Sequence, residues 1–268
     1  MNKNIIGRVV GHMFGDGGWN YKTNGTSDKL YPQIYYGNSC QELVSQFKED
    51  IRTLFPNATF SSRRHILKSG KHFENVFLRK TMICNFFIRK AEKINNLLQK
   101  SSFASGFLNA LFDDDGNIQC GWFKRNDNYN YRIDRRIRLI TADRSFGLLI
   151  QKTLLRFNIK STIHKIILKS NIVKKTAVVW HILIKKRESI LIFIKRIGFN
   201  HPRKRKISEI LISIMADQKK MRHLPNIQRQ EMFSRFQERI KTIPSFRITA
   251  KGVEPTPKDR KEEEEKSQ

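Results

Sequence analysis

The sequence has no long apolar run. Its longest candidates, such as Ile190 to Ile194, are cut short by charge, whereas a membrane-spanning helix needs roughly 18 or more apolar residues in a row. Cysteine is scarce: Cys40, Cys84 and Cys120 are odd in number, far apart and nowhere arranged as CxxC, which argues against a disulfide framework and a structural zinc. The seven histidines form no HExxH or paired-ligand spacing, so they read as core, hairpin or partner-facing residues. The amino-terminal stretch Ile5 to Phe14 carries Arg8 and His12 and runs into glycines, unlike a secretory signal. The expected location is intracellular, with a prokaryotic cytoplasm favoured over an organelle. Acidic residues are also in short supply, with 24 Asp and Glu against 52 Lys and Arg for a net charge of +28. So large an excess favours a polyanionic partner, nucleic acid ahead of an anionic membrane, and counterion release makes such binding salt-dependent. A membrane-surface role lacks its own signature, a strongly basic amphipathic helix with a broad apolar face.

What is present suffices for a core: 39% of the residues are hydrophobic, 19 of them Phe. The length of 268 residues suits one large or two small domains. A helix-like segment from Ile5 to Phe14 ends in Gly15-Asp16-Gly17-Gly18, and a second from Phe103 to Phe112 ends in Asp113-Asp114-Asp115-Gly116. Each is followed by the same series. A polar-aromatic strand region (Trp19 to Tyr36; Ile118 to Ile140) precedes an amphipathic helix (Gln41 to Phe55; Ser145 to Phe157), in which Leu43, Phe47, Ile51 and Leu54 have helical spacing. Alternating strands around a basic turn come next, Thr59 to Lys80 and Ser161 to Lys186. Asp16 and Asp115 are 99 positions apart, and Ile66-Leu67-Lys68-Ser69 recurs as Ile167-Leu168-Lys169-Ser170 at an offset of 101. An internal duplication of that length gives a pseudo-dimer rather than a repeat array.

Gly7, Gly11 and Gly15 recur at i, i+4 and i+8, on one stripe of the first helix. Glycine inside a helix costs about 1 kcal/mol relative to alanine, so three on one face imply close approach of a second backbone. Gly106, Ala110 and Asp114 offer the facing stripe. Helices packed this way bring Asp16 and Asp115 together at their carboxyl ends, where the helix dipoles and mutual repulsion oppose negative charge. A divalent cation offsets both costs, and oxygen-only ligands with open water positions suit Mg²⁺, with Mn²⁺ or Ca²⁺ as substitutes. A glycine-capped helix beside an exposed acidic loop is the plain alternative for either turn alone. Its duplication at matching places favours the metal site.

These residues resemble the LAGLIDADG homing endonucleases in their single-chain, two-motif form. Val9-Val10-Gly11-His12-Met13-Phe14-Gly15-Asp16-Gly17 looks like the first copy of the name motif, and Leu108-Asn109-Ala110-Leu111-Phe112-Asp113-Asp114-Asp115-Gly116 like the second. The resemblance covers residues 5 to 215. It implies an α+β fold with a pseudo-twofold duplicated αββαββα plan, motif helices packed at the centre, and two antiparallel sheets forming a DNA-binding saddle. It also implies catalytic metals over the minor groove, held by Asp16 and Asp115 with the backbone carbonyls of Gly15 and Asp114. Ile197-Gly198-Phe199-Asn200-His201-Pro202-Arg203-Lys204 is similar to the family's GF-x-HP stretch, after which a basic residue reaches the active site. Lys204 is the choice for that catalytic cation, with Arg203 or Lys206 as alternatives and a phosphate-contacting patch as the plain reading. Asn38 falls at an accessory polar position. Asp114 departs from the pattern, standing where a small residue is usual, which loosens the interface or adds an acid behind the site.

On the sheets, Gln33, Tyr35, Arg63, His65, Lys68, Lys124, Arg132, Arg136 and Arg138 are candidate groove contacts, while the basic turns with Lys68, Lys71, Lys169, Lys174 and Lys175 suit phosphates. The expected division is a first half over 1–89, a linker over 90–102, a second half over 103–215, a helical extension over 216–252 and a disordered charged tail over 253–268. The implied activity is intron-encoded, site-specific cleavage of both strands of a long asymmetric DNA site by a monomer. The competing class is a nonenzymatic binder, either a maturase gripping structured intron RNA or a decayed relative that only binds DNA. An intein fits less well, given the opening Met1 and a charged end without a His-Asn junction.

Overall fold

The structure is a computed structural model, which describes residues 1–23, 29–125, 130–169, 176–221, 228, 231, 234–235, 238, 246–249 and 252–255. For 121–125, 130–134, 169, 218–221, 246–249 and 252–255 only the backbone is described.

The first half runs α1 (Lys3–Phe14), β1 (Gly17–Thr23), β2 (Leu30–Asn38), α2 (Gln41–Leu54), β3 (Phe60–Ile66), β4 (His72–Leu78) and α3 (Thr81–Glu92). A short α4 (Ile94–Leu97) leads into the second half: α5 (Ser101–Asp114), β5 (Gly116–Arg125), β6 (Asn130–Thr141), α6 (Arg144–Arg156), β7 (Thr162–Lys169), β8 (Thr176–Ile184) and α7 (Arg187–Arg196). The chain continues through α8 (Pro202–Met221), β9 (Phe246–Thr249) and β10 (Gly252–Pro255). Two four-stranded antiparallel sheets, ordered β1-β2-β4-β3 and β5-β6-β8-β7, repeat one topology. This is the duplicated αββαββα plan that the sequence implies. The third helix of the first half, α3, had no local signal, because its run of Ile83, Phe86, Phe87 and Ile88 reads equally well as a buried strand.

Local chemistry sets the helix ends. Asn2 caps α1 by accepting from the main-chain N–H of Asn4 and Ile5 at 3.0 and 3.3 Å. Asp143 caps α6 through the N–H of Ser145 at 2.7 Å. Gly198, at φ +69°, closes α7 by donating its N–H to Phe193, a left-handed conformation in which glycine has no Cβ to strain. The apolar stripe of α2 (Leu43, Val44, Phe47, Ile51) and the inward residues of β2 and β4 (Ile34, Tyr36, Val76, Leu78) are all buried. Ile137, Leu139, Ile182 and Ile184 repeat that layer in the second sheet under Ile150 and Leu154 of α6. Period-two burial leaves the opposite face of each sheet for polar and basic residues.

Element ends differ from the sequence-based divisions. Helix α3 runs through residue 89 to Glu92, the connector holds α4, and α8 continues past 215 to Met221. Strands β9 and β10 lie where helix and tail were expected, paired as Ile248↔Val253. The apolar-polar alternation at Phe246 to Thr249 carries that signal, which Pro255 and the acid run had masked.

Candidate active site

Helices α1 and α5 lie flush at the centre. A Cβ at Gly7 would run into the main-chain carbonyl of Phe103, and one at Gly106 into that of Asn4. At Gly11 it would sit 2.8 Å from Cβ of Ala110, and at Gly15 2.6 Å from Cβ of Asp114. The glycine stripe thus lets two backbones meet, and each new methyl would force them apart.

This packing carries Asp16, two residues past the end of α1, and Asp115, the C-cap of α5, into one region. Asp16 accepts a hydrogen bond from Nδ2 of Asn38 at 2.8 Å, and its main-chain N–H points at Oδ2 of Asp114 at 3.4 Å. Both acids present surface to solvent, yet the protein packed around their carboxylates raises their pKa. Asp16 rises to about 7 through burial and the charges of Asp114 and Asp115; Asp115 rises to about 6 through burial and Asp114. Lys204 pulls both the other way. Carboxylates that burial and like charge push toward their protonated form therefore collect where the two halves meet.

The cation comes from the first turn of α8. Lys204 Nζ donates to the main-chain carbonyls of Phe112 and Asp113 at 3.0 and 2.5 Å, satisfying orphan acceptors at the end of α5. Burial lowers its pKa while Asp113, Asp114, Asp16 and Asp115 pull it up, so it sits among all four acids. Arg203 and Lys206 are exposed on the same turn. Asp113 holds the segment in place: its carboxylate accepts from the main-chain N–H of Asn200 and His201, just ahead of α8, at 2.9 and 3.0 Å. Burial raises Asp113 to about 6 despite those donors. Asn109 adds bonds to the carbonyls of Ile197 and Gly198 and to the amide of Asn200.

Behind Asp16 lies a cluster the sequence did not disclose. His12 and the Asp114 side chain are both fully buried, with Nδ1 of His12 2.9 Å from Oδ2 of Asp114, and Tyr36 donates its hydroxyl to Oδ1 at 2.8 Å. The interface is not loosened by Asp114, because Gly15 leaves the room its side chain fills. Burial opposes a charge on His12, yet Asp114 carries its pKa upward; burial and Asp114 raise Tyr36. The available signal was a His and a Tyr at core-facing positions of a helix and a strand, where an unpartnered polar group is costly.

The candidate contacts spread over the outer sheet faces. Arg63, His65, Lys68 and Lys71 are exposed on β3 and the β3–β4 turn, and Tyr35 is half-buried. Gln33, a candidate groove contact, is buried in the unliganded chain. It is 2% exposed, flanked on its face by Tyr31 and Tyr35, and neither of its side-chain polar atoms has a partner. Its register partner Asn20 also has an orphaned Oδ1. In the second sheet Arg136 and Arg138 share a face with His164 and His181; burial and those arginines lower His181, so positive charge is concentrated there. Lys124, Arg132 and Lys169 lie in strands with side chains outside the described residues, and Lys174 and Lys175 lie outside them altogether.

Among the described residues no group of three or more His, Cys, Asp or Glu side chains forms a metal cage. The donor set at Asp16 and Asp115 fits a small hard cation of another kind, one held by one or two carboxylates with water and substrate phosphate completing its shell. No helix of the described residues is long and apolar enough to cross a membrane.

Residues 102–198 match the family model of the LAGLIDADG-like domain, and the fold as a whole is that of the LAGLIDADG homing endonucleases. The similar solved structures include the homing endonuclease I-DmoI, in a study of mesophilic variants, at 15% identity and a TM-score of 0.54, covering 78% of this chain and 99% of that one. I-DmoI in complex with DNA and Ca gives 17% identity and a TM-score of 0.53 over 78% and 99%. A mutant of I-SmaMI gives 11% and 0.55 over 88% and 98%. No curated protein sequence matches the chain.

Proposed function

We propose that the chain is a site-specific DNA endonuclease of the homing type, acting as a monomer on both strands of a long, asymmetric duplex. The observation that carries this reading is the convergence of Asp16 and Asp115 from opposite halves of the chain, beside Lys204, at the ends of two flush helices. A pure binder gains nothing from repelling acids held together in this way. Solved relatives complexed with DNA and Mg, Mn or Ca support both the partner and the use of a divalent ion.

Asp16 and Asp115 hold the ion, with Mg²⁺ as the expected species and the carbonyls of Gly15 and Asp114 as further ligands. A bound divalent ion supplies Lewis-acid polarisation of the phosphate and a water of lowered pKa. Asn38 fixes the carboxylate rotamer of Asp16 by its 2.8 Å hydrogen bond. Lys204 sets a positive charge at the site, to stabilise charge developing on the scissile phosphate. The basic outer faces hold the duplex: Arg63, His65, Lys68 and Lys71 from the first sheet, Arg136 and Arg138 from the second. Two diverged halves need not read a palindrome.

The test is recovery of cleaved sites from a random duplex library with Mg²⁺, run beside Asp16→Asn and Asp115→Asn. Specific double-strand cleavage is expected, with the nick in one strand lost in Asp16→Asn and the nick in the other lost in Asp115→Asn. Cleavage indifferent to both overturns the mechanism, and tight RNA binding without cutting replaces it with a maturase.

A further inference from the structure

The two acids have unlike surroundings, and the sheet register locates the difference. In the first sheet, Gly17 leads across to Tyr36, Val76 and Ser62; in the second, Gly116 leads to Leu139, Ile182 and Ile163. Ser62 and Ile163 are 101 positions apart, the offset of the repeated Ile-Leu-Lys-Ser, so the correspondence holds through both sheets. Tyr36 therefore corresponds to Leu139 and Asn38 to Thr141. Asn38 and Thr141 keep a shared task, each accepting the main-chain N–H two residues on, from Cys40 at 2.8 Å and Asp143 at 3.2 Å. Counting back from Asp16 and Asp115 pairs His12 with Leu111 and Gly15 with Asp114.

Every member of the buried polar cluster thus has an apolar or side-chain-free counterpart. Where His12, Tyr36 and the carboxylate of Asp114 lock together behind Asp16, the other half has Leu111, Leu139 and Gly15. An open cavity lies there instead, lined by Phe14, Leu111, Asp115, Leu139, Thr141 and Phe146. Asp16 is held on two sides, by Asn38 and through its main-chain N–H by Asp114. Asn38 is itself braced, donating to the Tyr36 hydroxyl at 3.2 Å. No matching lock is built behind Asp115 from the described residues at those positions.

We infer that His12, Asp114 and Tyr36 are positioning residues serving Asp16 alone, so that the two strands are cut in a fixed order, the Asp16-dependent strand first. The inference rests on the endonuclease reading above. A carboxylate already held in its working geometry needs less reorganisation than one at the edge of an open cavity, and preorganisation of this kind speaks directly in rate. The polar cluster is also a unit. His12 without Asp114 is a buried imidazole facing nothing, and Asp114 without His12 and Tyr36 is a buried acid with little to bind.

The experiment follows the two strands of a selected target separately, each carrying its own end label, with Asp16→Asn and Asp115→Asn assigning each nick to its acid. Tyr36→Phe is the principal variant, because it removes one oxygen and leaves the ring. Asp114→Asn is the second. The wild type accumulates a nick in the Asp16-dependent strand. Each variant slows that nick by roughly 10-fold or more through kcat, the scale of a small misplacement, with KM for DNA unchanged and the other strand within about 2-fold. Equal slowing of both strands, or of neither, overturns the inference. A metal-free arm reads the anchoring itself: both variants speed hydrogen exchange at the Asp16 amide in EDTA but not at the Asp115 amide, and unchanged exchange at Asp16 overturns it. If the wild type cuts no DNA, the endonuclease reading fails, while the exchange arm still decides whether the cluster anchors Asp16.

Discussion

Lys204 donates to the main-chain carbonyl of Asp113 at 2.5 Å, joining the first turn of α8 to the end of the motif helix α5 across 91 residues of chain. The same bond aims a half-buried cation at a site that gathers four acids, Asp16, Asp113, Asp114 and Asp115.

Loss of that cation should therefore be felt in chemistry more than in binding. Lys204→Ala is expected to lower kcat on the order of 10²-fold, the usual scale for removing one charge-stabilising donor, with DNA affinity within a few-fold of wild type. Single-turnover kinetics beside a binding titration separates the two. Equal losses in kcat and affinity would mark Lys204 as a phosphate contact instead.

The helix seam gives a stability prediction. At Gly7 and Gly106 a methyl meets main-chain carbonyls, which cannot swing aside as a side-chain tip can. Gly7→Ala and Gly106→Ala should each destabilise the fold by about 1–3 kcal/mol through overpacking, even though alanine is the better helix former. Denaturant unfolding reads this as a lowered midpoint. A raised midpoint would mean that the backbones do not touch.

The acids give a pH prediction. Asp16 near 7 and Asp115 near 6 stand above the ordinary 3.8, so between pH 4 and 7 the folded chain keeps protons that the unfolded chain has released. Stability of the metal-free protein then falls as pH rises through that window, the sign opposite to that of a salt-bridged aspartate. Asp16→Asn and Asp115→Asn should raise the melting temperature in EDTA at pH 8, by about 2–4 °C after allowing for solvent screening, and make little difference at pH 4. Variants that melt lower at pH 8 would show that the carboxylates are not strained there.

Much of this was legible in sequence because it rests on local chemistry. The stripe Gly7, Gly11, Gly15 is a statement about backbone distance, and the acids following each motif helix fix where the halves must meet. The duplicated Ile-Leu-Lys-Ser kept its register through both sheets because pairing tolerates substitution but not slippage. The polar cluster was hidden, since which side chain faces His12 is decided by packing between segments 102 residues apart. The burial of Gln33 was hidden for a related reason: strand alternation gives the face but not what stands beside it, and Tyr31 and Tyr35 flank it there.

Gln33 and Asn20 also yield a prediction on specificity. They are register partners on β2 and β1, and both carry orphaned amide atoms that a base edge would satisfy. Gln33→Leu should leave folding intact and relax discrimination at one base pair by about 1–3 kcal/mol, read by competitive binding to single-substitution targets. An unchanged profile would make the amide purely internal.

The central claim is that two carboxylates far apart in the chain converge on one active site and hold its divalent metals. Anomalous diffraction from crystals of the DNA complex grown with Mn²⁺ tests it most directly. The account predicts metal density at roughly 2.1 Å from carboxylate oxygens of both Asp16 and Asp115. Metal bound elsewhere, or the two side chains turned toward separate surfaces, would contradict it.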